Sequence, residues 1–448
     1  MAISNSKGWS VVLAGTGINL ALGVLYAWSI FKGEISESIK QGGPDAFQWD
    51  LASINDPYAV CCLVFAFSMI LAGKCQDRVG PRLTAMIGGL LVGAGFILLS
   101  QTNDYWLWVL GFGVLAGMGI GFGYSSATPP ALKWFPPAKT GLIAGIVVSG
   151  FGLASVYIAP LATYLLKTNG MSWAMMILGV AFVIIVSLFS LLLANPPAGY
   201  TPSSPANAPG SAQGAVLAKT KDHTTAQMLK TGSFYIMWGV YFIGAGAGLM
   251  VIGSVAGMAK QSMGELAFLA VVILAVGNAA GRIIAGSLSD RIGRTLTLSL
   301  MLGFQAILMF MAIPVIGAEH PSAALLVLIA TMIGFNYGAN LSLFPAITKD
   351  FWGIKNFGAN YGVLFTAWGV GGFVLGRASE MMKATTGDFT LSFGVAGILL
   401  TVAALALVLK DLFNQMVQAE VAKELAQRAE AAKVPVQPAL GPGLEQAA

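Results

Sequence analysis

Gly73-Lys-Cys-Gln-Asp77-Arg78-Val-Gly80-Pro-Arg82 returns later in the chain as Gly286-Ser-Leu-Ser-Asp290-Arg291-Ile-Gly293-Arg294, one residue shorter at its end. The second copy trails the first by 213 residues (290 − 77). Another echo, Pro130-Ala-Leu-Lys-Trp134-Phe135 against Pro345-Ala-Ile-Thr-Lys-Asp350-Phe351-Trp352, lies at nearly the same offset. Two matches at nearly the same spacing read as an internal duplication. Each charged loop follows a long apolar run, so the duplicated unit is a set of membrane spans.

The composition agrees. Of 448 residues 56% are hydrophobic and only 10% charged, with a mean hydropathy of +0.77, whereas soluble domains carry about 25% charged residues. A soluble globular protein is excluded. The net charge of +5 is too small and scattered for a nucleic-acid surface. Cys61, Cys62 and Cys75 crowd one stretch, and His223 and His320 are the only histidines. Neither a disulfide framework nor a metal or haem site is expected, and no cofactor.

Twelve runs approach the roughly 20 apolar residues that cross a bilayer: 9–31, 53–73, 83–100, 106–130, 140–165, 172–194, 231–256, 266–288, 296–317, 322–348, 358–382 and 389–410. The alternation of a β-barrel is missing. The first run has no small-residue cleavage site and reads as an uncleaved helix. With the N-terminus inside, outer segments hold only Lys32, Lys40, Lys167, Lys260 and Lys383, and seventeen other Lys and Arg fall inside. Both termini are therefore expected to be cytoplasmic, in the cell's inner or plasma membrane. The fold expected is all-α and integral to the membrane. It comprises an N-terminal six-helix half over 1–194, a cytoplasmic linker over 195–230, a C-terminal six-helix half over 231–410 and a tail over 411–448. The linker is rich in Pro, Ser, Ala and Gly. Thr224 and Gln227 fit a capping box opening a short helix over 226–230. In the tail, 420–432 reads as a frayed helix.

The repeated Gly-x-x-x-Asp-Arg-x-Gly loop with its trailing arginine, in a twelve-span chain, resembles the major facilitator superfamily across nearly all of the sequence. Asp77, Arg78, Asp290 and Arg291 are then read as gating residues that clamp helices at the inner face without touching substrate.

Within the spans Arg282 stands out, in Gly277-Asn278-Ala-Ala-Gly281-Arg282 of span eight. An arginine in lipid costs at least about 2.5–3.5 kcal/mol and keeps its charge, so it must face protein or a cavity and needs an anion. No Asp or Glu lies deep in any span, so the missing counterion is read as the substrate. Asn278, four residues earlier, shares its helical face. The positions one repeat earlier are Met69 and Phe65, so the duplicated scaffold does not itself demand a charge. A snorkelling structural anchor is the alternative. Tyr26 and Trp28, Tyr124 and Ser125, Asn336, Tyr337 and Asn340, and Tyr361, Thr366 and Trp368 are further candidates. The resemblance groups their spans around a central cavity. The glycines of Gly117-Met-Gly119-Ile-Gly-Phe-Gly-Tyr124 lie inside an apolar span, which favours helix packing over a nucleotide loop. Phosphate-loop, nucleophile-elbow and zinc-protease motifs are absent.

Asn278-x-x-x-Arg282, Lys133-Trp134-Phe135-Pro136, and Asn360-Tyr361-Gly362 through Thr366-Ala367-Trp368-Gly369 resemble the oxalate/formate antiporters and bacterial relatives of the monocarboxylate transporters. The resemblance implies that Arg282 binds a substrate carboxylate, that Asn278 orients it and that Tyr124 faces it from the other half. Tyr337, Tyr26, Tyr361 and Trp368 complete the expected site. Span eleven lacks the lysine that the oxalate carriers have there. One cation balances one carboxylate, so a small monocarboxylate such as lactate, pyruvate or formate is favoured over oxalate. Asn278 replaces the aspartate of proton-coupled animal carriers, which weakens the case for proton coupling. The expectation is thus a secondary active or facilitative transporter, not an enzyme. It works as a monomer in the lipid bilayer by alternating access, with a proton or counter-anion as possible partners. The alternatives are an organic anion exchanger of the oxalate/formate type and a non-transporting anion sensor.

Overall fold

Without water, long apolar runs satisfy their backbone polar groups only as helices or closed barrels, and helix is what these runs form. The structure, a computed structural model, describes residues 2–44, 46–50, 53–197, 199–202, 222–264, 267–318 and 322–431. Ten helical stretches among them are long and apolar enough to cross a membrane. One of these, Thr140–Leu192, is two spans meeting at Gly170, whose φ of 75° breaks the helix. Phe357–Thr386 falls outside the ten because Asn360, Tyr361, Arg377 and several glycines dilute its apolarity, yet it sits among the spans as the eleventh.

The twelve spans follow the expected order. Span one is Ala2–Leu22 continued by Trp28–Gln41 through the 3₁₀ turn Gly23–Ala27. Spans two and three are Asp56–Val79 and Pro81–Leu99. Span four joins Tyr105–Trp108, the π-helical Val109–Ala116 and Gly117–Trp134. Thr140–Leu192 supplies five and six. Spans seven to ten are Gly232–Met263, Ala267–Ile292, Arg294–Ile316 and Ala323–Trp352. Phe357–Thr386 and Thr390–Ala431 are eleven and twelve.

Spans nine and twelve pack on each other, as do three and six, and each pair turns apolar stripes outward. Leu296, Leu300, Phe304, Ile307 and Met311 of span nine are exposed, as are Ile398, Val402, Leu405 and Leu409 of span twelve. A stripe with this spacing facing outward is the inverse of a soluble helix and fits lipid. The halves meet instead through spans two against eleven and five against eight. Span four's glycines do serve packing, since a Cβ at Gly88 or Gly119 would strike the backbone of the other's helix.

Two expectations change. The tail does not begin afresh near residue 420, because span twelve runs unbroken to Ala431: its Ala, Glu and Lys content favours helix and no breaker intervenes. Residues 432–448 lie outside the described residues. Of the linker, 203–221 also lie outside, while the capping box forms around the four-residue helix Thr225–Met228. Thr224 Oγ1 accepts from Gln227 N (3.3 Å), and Gln227 Oε1 accepts from Thr224 N (2.9 Å). Asp222 Oδ1 then accepts from Ile354 N and Lys355 N, tying this segment to the turn between spans ten and eleven.

Candidate functional site

The repeated loops close the same face of the molecule, each reaching into the opposite half. Asp77 accepts from the amides of Gly358 (3.3 Å) and Ala359 (3.1 Å) at the start of span eleven. Asp290 accepts from those of Gly141 (2.8 Å) and Leu142 (2.9 Å) at the start of span five. A carboxylate at a helix N-terminus meets unpaired N–H groups and the positive end of the dipole. Asp290 also pairs with Arg294 (2.6 Å), which pairs with Asp350 (2.8 Å), and Lys349 Nζ donates to Thr140 Oγ1 (2.6 Å). Asp77 and Asp290 thus sit at cross-half clamps. Arg78 and Arg291 are exposed, and the ion pairs here belong to Arg294, which opens span nine just past the turn at Gly293.

Above the clamps, glycines bring the paired helices into backbone contact. Gly141 meets Gly286 and Gly145 meets the Arg282 carbonyl; in the other pair Gly358 meets Gly73 and Gly362 meets the Met69 carbonyl. The correspondence is regular: spans two and eight are offset by 213 residues (286 − 73), and spans five and eleven by 217 (358 − 141).

Halfway up span eight, Arg282 is fully buried. Its Nε donates to Asn278 Oδ1 (2.9 Å), the turn-on-turn pairing that the four-residue spacing predicts. Its Nη1 donates to the carbonyl of Val148, on span five of the other half. Nη2 is buried without a hydrogen bond of normal geometry, and the guanidinium charge reaches the hydroxyls of Tyr26, Tyr124, Tyr241 and Tyr337. No carboxylate pairs with Arg282 among the described residues. Span five comes this close because of Gly152, where a Cβ would lie 3.3 Å from both Arg282 Nε and Asn278 Oδ1.

Aromatic rings surround the guanidinium. Trp368 Nε1 donates to the Tyr337 hydroxyl (2.9 Å), which shares a hydrogen bond with the Tyr26 hydroxyl (2.7 Å) across the halves. The 3₁₀ turn at Gly23–Ala27 carries Tyr26 to this point. Tyr124 and Tyr361 both pack on Phe365, with ring centroids 5.5 and 5.6 Å away. Phe65 bridges Tyr124, Phe151, Phe365 and Trp368.

Other candidates fall elsewhere. Trp28 donates to Asn55 Oδ1 and stacks among Tyr58, Trp108 and Phe112. Thr366 is engaged by Val363 O and Trp238 Nε1, and the amides of Asn336 and Asn340 donate to their own helix. Sequence reasoning missed Val148, Gly152, Phe65, Phe151 and Phe365 as site neighbours. The glycine spacing 141, 145, 152 was the available signal for span five.

The sequence model of the Major Facilitator Superfamily matches residues 8–376 and 237–441, and the chain belongs to that superfamily of membrane transporters. It is 28% identical over 369 residues to the MFS-type transporter YhjX of Escherichia coli, covering 81% of this chain and 85% of the relative. It is 27% identical over 376 residues to the oxalate:formate antiporter of Oxalobacter formigenes, covering 81% of each, and 25% identical over 399 residues to human monocarboxylate transporter 11, covering 88% of this chain and 80% of that one. Among solved structures, a double-tryptophan variant of the transporter XylE superposes with a TM-score of 0.64 at 16% identity, over 89% of this chain and 95% of that one. The transporter FucP superposes with a TM-score of 0.60 at 14% identity, over 89% and 99%. These likenesses establish the fold of twelve helices in two six-helix halves, and the protein is a transporter, not an enzyme.

Proposed function

We propose that the protein carries a small monocarboxylate, of the size of lactate, pyruvate or formate, across a cell membrane by alternating access, with Arg282 binding the carboxylate and Asn278 orienting it. The observation that carries this reading is a fully buried guanidinium with no acidic partner among the described residues and one nitrogen without a well-formed bond. A buried charge demands compensation, and a carboxylate supplies it in the planar geometry a guanidinium prefers. Tyr26, Tyr124, Tyr337, Tyr361 and Trp368 are the aromatic side chains that would wall the anion.

On this reading the clamp face is cytoplasmic, as the excess of Lys and Arg in its loops favours. Both termini are then cytoplasmic, the state described is closed to the cytoplasm, and one chain suffices for the cycle. Arg294 joins Asp77 and Asp290 as a gating residue. Exchange of organic anions, including oxalate, is the second reading, favoured by the similarity to the oxalate:formate antiporter. Counterflow in proteoliposomes with lactate, pyruvate, formate and oxalate at two pH values tests both. Saturable counterflow of a monocarboxylate is the expected result. Oxalate preferred over every monocarboxylate establishes the second reading, and no counterflow by any of the four removes both.

A further inference from the structure

Arg282 belongs to one half of the molecule, and the carbonyl that receives its Nη1 belongs to the other. The residue assigned to substrate is therefore also a bond between the halves. Three successive carbonyls of span five are engaged by side chains from other helices: Ile146 O by Thr16 (3.3 Å), Val147 O by Asn19 (2.9 Å) and Val148 O by Arg282. The first two donors lie on span one, within the same half. Of the three only the last crosses between halves, beside the Tyr26–Tyr337 hydrogen bond that also does, and it is made by a charged donor. A neutral carbonyl is a weaker partner for a guanidinium than a carboxylate.

We infer that the Val148 carbonyl is an internal competitor of the substrate carboxylate for Arg282, and that it locks the empty transporter in the clamp-closed state until an anion displaces it. This rests on the carboxylate-binding role proposed for Arg282. Bound anion takes Nη1 together with Nη2, which lacks a well-formed bond, and the link to span five is released. An empty transporter retains the link and does not cross. The device therefore favours exchange of one anion for another over net movement, because the unloaded return step must break a buried charged hydrogen bond with nothing to replace it. Competing occupants that bind two states unequally shift the equilibrium between them by that difference.

The two helix pairs supply a matched test. An added methyl at Gly145 strikes the backbone of Arg282 and Ile283, and one at Gly362 strikes that of Met69 and Ile70. Gly145→Ala thus parts spans five and eight and lengthens the Arg282–Val148 bond, while Gly362→Ala parts spans two and eleven and leaves it alone. Lactate, pyruvate, formate and oxalate serve as probes, for equilibrium binding and for net uptake against exchange in proteoliposomes. Relieved of its competitor, Gly145→Ala is expected to bind the best probe about 3- to 10-fold more tightly and to raise the ratio of net flux to exchange by a similar factor, with neither change in Gly362→Ala. Weaker binding by Gly145→Ala overturns the inference, since the carbonyl would then be an orienting support. Equal changes in both variants overturn it as general loosening.

Wild-type protein offers a second measurement should Gly145→Ala not fold. Hydrogen exchange of the segment 145–152 is expected to quicken when the probe binds, with segment 362–369 unchanged. A bound probe that leaves 145–152 equally protected overturns the exchange of partners while sparing the proposed substrate. No binding of any of the four anions to wild type removes the carboxylate reading and this inference with it.

Discussion

Spans five and eight, and spans two and eleven, are the same construction twice. Aspartates clamp the same end, glycines meet glycines above them, and a backbone carbonyl faces Gly145 in one and Gly362 in the other. They part company at mid-depth. Where one pair places Arg282, Asn278 and the Val148 carbonyl, the other places Met69, Phe65 and Phe365, with Phe65 and Phe365 rings 5.1 Å apart. Duplication supplied two equivalent glycine-lined contacts, and only one of them carries a buried charge. A shared backbone thus serves both pairs while the polar side chains sit in one, the separation of scaffold from site expected of widely reused folds.

The largest expected effect breaks this asymmetry directly. Arg282→Ala removes a charged group with two hydrogen bonds, and counterflow is expected to fall by about two orders of magnitude or more with insertion intact. Its mirror, Met69→Ala, removes only apolar volume and is expected to cost about 2–3 kcal/mol of stability, read from detergent unfolding, with transport retained. Retained binding in Arg282→Ala would place the anion elsewhere.

Next in size is Asn278→Asp. An ionised aspartate four residues from Arg282 competes with substrate for the guanidinium, and protonation releases it. Binding by the variant is expected to weaken by about tenfold at high pH and recover on acidification. Wild type, with no titrating group at that position, should follow only the ionisation of the acid itself. Stoichiometric proton flux driven by substrate in wild-type vesicles would contradict this.

The clamps differ too, and a smaller effect follows. Removing Asp290 takes one of two carboxylates from a buried Arg294, which keeps Asp350, whereas the hydrogen bonds of Asp77 among the described residues go to backbone amides. Asp290→Ala is expected to destabilise by about 2 kcal/mol and Asp77→Asn by about 1 kcal/mol, compared as unfolding midpoints. Asp77→Asn should slow turnover with little change in equilibrium affinity. Smallest is Trp368→Phe, which deletes the donor to Tyr337. A two- to threefold loss of affinity, with broader acceptance of larger acids, is expected from one neutral hydrogen bond.

Much of this was legible from residues alone, for identifiable reasons. Sustained apolarity marks spans locally, and the Asp-Arg loops recur at one offset, so the class and the repeat needed no tertiary information. Arg282 was conspicuous because a charge inside an apolar run has no cheap explanation, and the spacing to Asn278 fixed their pairing. Val148 was hidden because it acts through a carbonyl, which every residue carries. Phe65, Phe151 and Phe365 were hidden because an aromatic in an apolar span looks the same whether it lines a site or fills a gap. The 3₁₀ turn at Gly23–Ala27 and the π-helical Val109–Ala116 answer to neighbouring helices, and nothing in their own residues announces them.

The break at Gly170 has a mechanical consequence. Spans five and six are joined there with no intervening loop, so span five is hinged at one end to its own half and ends at the Asp290 clamp on the other. Sliding along its axis would drag span six, whereas a swing about Gly170 would not. From Gly170 to Thr140 the arm is about 45 Å at 1.5 Å per residue, and to Val148 about 33 Å. A rotation of roughly 5° would carry the clamp end about 4 Å and Val148 about 3 Å on those lengths. Either displacement exceeds what a hydrogen bond tolerates. On the gating role proposed for the clamp, one small angular step would part the clamp and the Arg282–Val148 bond together, with the clamp end moving farther because it lies at the lever's tip.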